Sequence, residues 1–193
     1  MATEKSQSAG GGFDGGVTLP TLRTLRLILR PLVPDDARDA HRFLSDERVM
    51  RYWSSGPHVD IAETERYIVG NCVGGTHESW AITEPGGPAI GWVNLCERRP
   101  AVYETGYILS ADRWGGGLAR EAVRAGLDHV FGECNARRIF ADCDPENIAS
   151  IRLVESLGFI REGHLRGEWE THLGIRDSLI FGILRNEWEG ARA

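Results

Sequence analysis

The hydrophobic residues of this chain recur with two different spacings, which predict strands and helices in alternation. Leu25, Leu27 and Leu29 alternate with polar neighbours and predict a first strand over residues 23–32. Apolar runs predict six more strands, at residues 78–84, 88–97, 102–109, 136–143, 159–166 and 176–184. Helical spacing predicts four helices, at residues 34–46, 60–73, 119–131 and 144–159, the last of which ends at Gly158.

The order of these segments predicts one α/β domain over residues 18–193. Several consecutive strands lead into alternating helix and strand, which is typical of a mixed sheet with helices on its faces. The sequence Pro-Gly-Gly-Pro at residues 85–88 predicts a hairpin, and residues 50–58 predict a loop. Residues 1–17 are small, polar and rich in glycine, so we expect a flexible tail.

The composition of the chain disfavours several classes of binding partner. The formal net charge of −6 disfavours binding to nucleic acid or to an anionic membrane surface. No apolar run is long enough for a membrane span and no signal peptide is present, so we expect a cytoplasmic protein. The four cysteines form no C-x-x-C pair and have no histidine at zinc-finger spacing, so the sequence predicts no metal.

Three glycines in a row, Gly115, Gly116 and Gly117, stand between a predicted strand and a predicted helix. Successive backbone N–H groups at the start of a helix bind anions, and the helix dipole strengthens that binding. A phosphate-binding loop of the Walker type would need a lysine here, and a dinucleotide-binding motif would need Gly or Ala where Arg120 stands. Both of these nucleotide-binding motifs are therefore excluded.

The glycine segment resembles the acyl-CoA loop [Q/R]-x-x-G-x-[G/A] of the GCN5-related N-acetyltransferase (GNAT) superfamily, with Trp114 as a departure at its first position. Residues 147–159 are similar to the superfamily's N-x-x-S-x-x-x-x-E-x-x-G-F motif. Residues 46–58 and 176–188 resemble segments of the branch that includes the ribosomal-protein N-terminal acetyltransferases (RimJ/RimL-like). The resemblance covers residues 24–188.

This resemblance implies a single GNAT-like α/β domain, in which a mixed central sheet is flanked by helices and two splayed strands form an acyl-CoA cleft. It also implies an N-acetyltransferase that uses acetyl-CoA as co-substrate. The acceptor would be a primary amine, either a small molecule or the α-amine of a peptide or protein. An acyl-CoA-binding sensor without turnover is the alternative, and the chain could be a monomer or a homodimer.

The resemblance assigns the acyl-CoA site to the end of one strand, the glycine loop and the start of the last predicted helix. We expect Arg120 to contact phosphate or to be a solvated helix residue, and Asn147 to bind pantetheine or to cap its helix. The side chains of Tyr107, Ile108 and Leu109 are expected to belong only to the core. The predicted cofactor-binding residues are Ile108, Leu109, Arg113, Trp114, Gly115, Gly116, Gly117, Leu118, Ala119, Arg120 and Asn147.

Two residues are the candidates for proton transfer. Ser150 lies one turn after Asn147 and is predicted to give a proton to the departing thiolate, unless it is an ordinary serine of the first helical turn. Glu104 is predicted to take the proton of the amine through water, or else to pair with an arginine. The predicted acceptor-binding residues are Tyr52, Trp53, Glu168 and Asp177, with Glu170 as a further candidate base.

Overall fold

The computed structural model describes residues 19–71 and 77–190. The tail predicted at residues 1–17 and the last two residues of the helix predicted at 60–73 lie outside them. The strands are β1 (Leu22–Arg23), β2 (Ile28–Pro31), β3 (His77–Thr83), β4 (Ala89–Arg99), β5 (Val102–Leu109), β6 (Arg138–Cys143), β7 (Ile160–Thr171) and β8 (Gly174–Leu184). The helices are α1 (Ala37–Leu44), α2 (Glu47–Met50), α3 (Ile61–Asn71), α4 (Leu118–Gly132), α5 (Ile148–Ser156) and α6 (Arg185–Gly190).

The eight described strands form one mixed sheet in the order β1-β2-β3-β4-β5-β6-β8-β7. The pair β5–β6 is parallel, and every other neighbouring pair is antiparallel. The predicted hairpin at residues 85–88 joins β3 to β4, with Gly86 at a φ of 73°. The expected mixed sheet flanked by helices is therefore confirmed.

A hydrophobic core covers each face of the sheet. On one face, Leu127 and Val130 of α4 pack against Val93 and Leu95 of β4. On the other face, α1 and α3 cover a second cluster centred on Trp92. No helix in the described parts of the chain is both long and apolar enough to cross a membrane.

The first predicted strand is wrong in one respect, because residues 23–32 form two short strands with a turn between them. The side chain of Thr24 accepts a hydrogen bond from the Leu27 amide at 2.9 Å, and the Thr24 amide donates to the Leu27 carbonyl at 3.0 Å. This local bonding closes a turn in place of a continuous ladder. Leu27 and Leu29 are buried as expected, whereas Leu25 is 95% exposed.

Two further elements differ from the predicted ones at their ends. Met50 belongs to the four-residue helix α2, which Asp46 caps by accepting a hydrogen bond from the Arg48 amide at 2.9 Å. The strand β7 extends to Thr171, five residues beyond its predicted end, because it continues to pair with β8 as far as Gly174. Both departures arise from contacts that hydrophobic spacing does not report.

Gly91 of β4 sets how closely β4 and β5 can approach. A Cβ atom at Gly91 would lie 2.2 Å from the carbonyl oxygen of Ile108, which belongs to the backbone and cannot rotate away. We expect Gly91→Ala to lower the free energy of unfolding by about 1–3 kcal/mol, because the two strands must move apart. Chemical denaturation measures this loss.

Gly70→Ala is the matched control, since Gly70 lies on an exposed part of α3 with no atom within 4 Å of the added methyl group. Alanine is the better helix former, so this change should leave stability equal or higher. Equal stability of the two variants would contradict the close approach of β4 and β5.

Candidate active site

The sheet opens between β5 and β6. The two strands pair only from Val102 to Glu104, opposite Arg138 to Phe140, and the rest of β5 has no strand partner on that side among the described residues. A cleft of about 620 Å³ fills the gap and is bounded by the second half of β5, the end of β6 and the starts of α4 and α5. The sequence-predicted splayed strands are therefore present.

The divergence leaves backbone groups of β5 facing the cleft. The Ser110 amide donates to the Ile90 carbonyl at 2.8 Å, so the alternation of an antiparallel pair directs the N–H and C=O groups of Leu109 and Tyr107 away from β4. The indole N–H of Trp114 donates to the Leu109 carbonyl at 2.8 Å. Trp114, the departure from the family motif, thus satisfies one acceptor that the missing strand would otherwise bind.

The glycine loop turns the chain from β5 into α4. Gly115 and Gly117 have φ angles of 79° and 75°, a conformation that residues with a side chain rarely adopt. Gly117 is the residue before the first turn of α4 and lines the cleft, as does Gly115. Gly116 lies behind them, where its carbonyl accepts a hydrogen bond from Arg26 at 2.8 Å.

Three arginines stand at this end of the cleft. Arg113 forms ion pairs with Asp112 at 3.0 Å and with Glu84 at 3.4 Å. Arg120 donates to the Ser156 carbonyl at 3.2 Å, so it bridges α4 and α5. Arg152 also lines the cleft and was not among the predicted residues. Arg113 is neutralised by its two carboxylates, so Arg120 and Arg152, together with the N-terminus of α4, make this end of the cleft basic.

A hydroxyl pair lies where α5 faces β5. Asn147 caps α5, since its side-chain oxygen accepts from the Ser150 amide at 3.1 Å. The hydroxyl oxygens of Ser150 and Tyr107 are 2.6 Å apart, and the Cys143 sulfur is 3.5 Å from the Ser150 hydroxyl. The expectation that the Tyr107 side chain is only core is therefore wrong, because it lines the cleft and contacts Ser150.

Both acidic neighbours of Ser150 keep their protons at neutral pH. Burial raises the pKa of Tyr107 well above its ordinary value, and the hydrogen bond to Ser150 only partly opposes this. Burial also raises the pKa of Cys143 to about 11. A proton donor is thus present beside Ser150 across the physiological range.

A second cavity of about 310 Å³ opens on the opposite face of β5 and joins the cleft. Glu104 lines this cavity, in agreement with the period-2 rule that places it opposite Tyr107. The residues that line both cavities are Tyr52, Trp53, Thr105, Gly106, Asp142 and Asp144. An aromatic pair, in which the Trp53 indole donates to the Tyr67 hydroxyl at 2.7 Å, forms part of the wall.

Four carboxylates line the smaller cavity, and they differ in how far they are neutralised. Glu104 accepts from Arg98 at 2.6 Å, so the expected ion pair is present. Asp144 accepts two hydrogen bonds from Arg176, at 2.8 and 2.9 Å. Asp142 accepts one from the neutral indole of Trp169 at 2.8 Å.

Among the sequence-predicted carboxylates of the last hairpin, Asp177 lines the smaller cavity, whereas Glu168 and Glu170 line neither cavity. Asp177 accepts from the Gly167 amide at 2.8 Å and lies 2.7 Å from the Nε2 atom of His164. These contacts hold the pKa of Asp177 below its ordinary value. The residues that sequence reasoning missed are Asp142, Asp144, Arg152, Trp169, Arg176 and the hydroxyl of Tyr107.

Residues 26–160 match the protein family described as the acetyltransferase (GNAT) domain. This match covers more than half of the chain, which therefore belongs to the GNAT family and is an acyltransferase of the N-acetyltransferase type. The narrower likeness to the RimJ/RimL-like branch stays a prediction.

Several relatives extend over most of the chain. An uncharacterized N-acetyltransferase, p20 of Bacillus licheniformis, is 32% identical and is aligned over 89% of this chain and 100% of its own length. A spermidine N(1)-acetyltransferase of Vibrio cholerae is 28% identical over 84% of this chain and 95% of its own length. The crystal structure of a spermidine N-acetyltransferase from Vibrio cholerae in complex with CoA and spermine has a TM-score of 0.76 and 26% identity, over 86% of this chain and 99% of its own.

The bidentate pair of Arg176 and Asp144 links β8 to the end of β6, and both side chains are mostly buried. We expect Arg176→Met to lower the free energy of unfolding by about 1–3 kcal/mol at pH 7, because Asp144 then keeps a buried charge without its partner. Urea denaturation of the variant beside the parent measures the loss. Arg161→Met is the control, since Arg161 is exposed on β7 and has no ion pair within the described residues.

The same pair predicts a pH dependence. Burial raises the pKa of Asp144, but the hydrogen bonds from Arg176 and the Glu146 amide outweigh this and hold the pKa below its ordinary value. A lowered pKa means that the stabilisation is complete above the unfolded-state pKa of about 3.9 and is lost as pH falls through the folded-state pKa. The gap in stability between parent and Arg176→Met should therefore shrink below about pH 4. A gap that widens in acid would contradict this pair.

Proposed function

We propose that this protein transfers an acetyl group from acetyl-CoA to a primary amine of a small, cationic aliphatic molecule. The observation that carries the proposal is the continuity of two cavities of different chemistry, which meet at Thr105, Gly106 and Asp142. One cavity suits an anionic, elongated acyl donor, and the other suits a cation. Relatives that are named spermidine N-acetyltransferases support this acceptor class.

The larger cleft fits acetyl-CoA at three points. The pyrophosphate would meet the backbone N–H groups of the glycine loop, with Arg120 and Arg152 as further donors. The pantetheine amides would pair with the backbone groups of Tyr107 and Leu109 that face the opening. Bound acetyl-CoA supplies an acetyl thioester, and the chain must hold that thioester at the junction of the two cavities.

The smaller cavity, called the acceptor cavity from here on, carries an excess of negative charge. Its lining holds four carboxylates against the two arginines Arg98 and Arg176. Both arginines are already paired, with Glu104 and Asp144, so they do not compensate Asp142. The aromatic wall adds cation–π attraction for an ammonium group. A cationic amine therefore matches this cavity better than a neutral or acidic one.

The chain offers a proton route on each side of the junction. Glu104 lines the acceptor cavity and pairs with Arg98, and we assign it the amine's proton, passed through water. The Tyr107–Ser150 pair stands on the other side and would return a proton to the departing thiolate. Asn147 caps the N-terminus of α5 and would hold that end of the helix against acetyl-CoA.

Release of free thiol over a panel of amines tests the proposal. We expect turnover with diamines and polyamines, and little with acidic amino acids. Turnover of peptide α-amines without turnover of polyamines would favour a protein acceptor. Thermal stabilisation by acetyl-CoA without thiol release on any amine would favour the sensor, and absence of both effects would contradict the donor assignment.

Ser150 and Tyr107 should act as one unit in the second half of the reaction. We expect Ser150→Ala and Tyr107→Phe each to lower kcat by roughly 10–100-fold with little change in the KM for acetyl-CoA, since thiolate charge develops only during reaction. The double variant should be little slower than the slower single variant. Steady-state kinetics of the four proteins measures this coupling, and independent, multiplying losses would contradict a shared route.

Asp142 should set the affinity for the cationic acceptor. We expect Asp142→Asn to raise the KM for a polyamine by about 10-fold or more, because it removes the carboxylate that has no cationic partner within the described residues. The KM for acetyl-CoA should change little. Glu170→Gln is the control, since it removes an equal charge from β7, and Glu170 lines neither cavity. An equal rise of the KM for the polyamine in both variants would mean that Asp142 acts only through long-range electrostatic attraction.

A further inference from the structure

A cluster of three metal-binding side chains lies outside both cavities. Glu78 comes from β3, His129 from the last turn of α4, and Cys134 from the segment that follows α4. None of the three lines the cleft or the acceptor cavity. We propose that Glu78, His129 and Cys134 form a zinc site that ties β3 to the end of α4.

The donor atoms of the three side chains lie near one another. The Cys134 sulfur lies 3.3 Å from Glu78 Oε1 and 3.7 Å from His129 Nε2, and His129 Nε2 lies 3.8 Å from the other carboxylate oxygen, Glu78 Oε2. One donor atom from each side chain lies within 4.8 Å of the other two. Zinc bonds of about 2.0–2.3 Å at tetrahedral angles place donor atoms about 3.3–3.6 Å apart, so the three side chains would move closer together to share one ion.

The electrostatics of the cluster call for a cation. Glu78 Oε2 is buried and has no hydrogen-bond partner within the described parts of the chain. One divalent ion would balance a thiolate and a carboxylate, and neutral imidazole would complete the set.

The chemical types of the three ligand atoms determine which metal ion the site prefers. A sulfur and an imidazole nitrogen suit zinc, whereas magnesium and calcium prefer oxygen donors only. The ring of Trp80 packs edge-on against that of His129 with centroids 5.5 Å apart, which orients the imidazole towards the other two side chains. The side chains of His129 and Glu78 are 12% and 27% exposed, so water can reach the fourth position.

This site could not be found by spacing. A search for paired cysteines or histidines sees only neighbours in sequence, and here one ligand precedes the other two by about fifty residues. The sheet brings Glu78 to the end of α4 because β3 lies beside β4, against which α4 packs. The proposal therefore differs from the sequence-based expectation of no metal.

Metal binding by the purified chain tests the proposal directly. We expect one zinc ion per chain by elemental analysis after purification with zinc, and sub-micromolar affinity in competition with a chromophoric chelator. Cobalt substitution should give a thiolate-to-metal absorption band in the near ultraviolet. Zinc should also raise the Tm of the metal-free chain.

Substitutions in the cluster test whether the zinc binding and the cobalt absorption band come from these three side chains. Cys134→Ser should abolish the thiolate band and weaken zinc binding at least 100-fold, and Glu78→Gln should weaken binding with the thiolate band retained at high cobalt concentration. Cys96→Ser is the matched control, because Cys96 lines the acceptor cavity on the other face of the sheet. Absence of stoichiometric zinc, or equal binding by Cys134→Ser and the parent, would overturn the site. Should Cys134→Ser not fold, Glu78→Gln and the cobalt spectrum of the parent decide.

Discussion

The parting of β5 from β6 is the constraint on which the rest of the site depends. Three residue pairs hold the two strands together, and beyond Glu104 their hydrogen-bonding groups face an opening. Exposed strand edges are costly unless something pairs with them. Trp114 covers one carbonyl from the side, and the other groups have no strand partner on that side within the described residues. The opening is thus suited to ligand binding because the sheet is incomplete there.

Backbone conformation explains why glycines stand in the loop, and the direction of the turn relates the loop to ligand binding. Gly115 and Gly117 adopt left-handed φ angles, which would cost a residue with a side chain about 1–2 kcal/mol each. Gly116 has no such angle, and a Cβ atom there would meet nothing within 4 Å. The sharp turn therefore accounts for two of the three glycines, and it aims the N-terminus of α4 at the cleft.

Sequence reasoning predicted the features that depend on neighbours in the chain and missed those that depend on the fold. The sheet, the splay and the cap at Asn147 follow from local patterns and family motifs. The contact of Tyr107 with Ser150 joins residues 43 positions apart, and no spacing reports it. Glu104 lines the cavity and forms the expected ion pair with Arg98, and its role as the base stays a prediction.

The acidic residues beyond the splay are not equivalent, and their partners decide which of them can bind a cation. Asp144 already holds a guanidinium by two hydrogen bonds, so an incoming ammonium group would have to displace a bound charge. Within the described residues, Asp142 accepts a hydrogen bond only from the neutral indole N–H of Trp169. No cationic side chain there neutralises its negative charge. An ammonium group would meet weaker competition at Asp142, because the indole N–H carries no charge. Arg176 contributes indirectly, since it fixes Asp144 and leaves Asp142 as the available carboxylate at the junction of the two cavities.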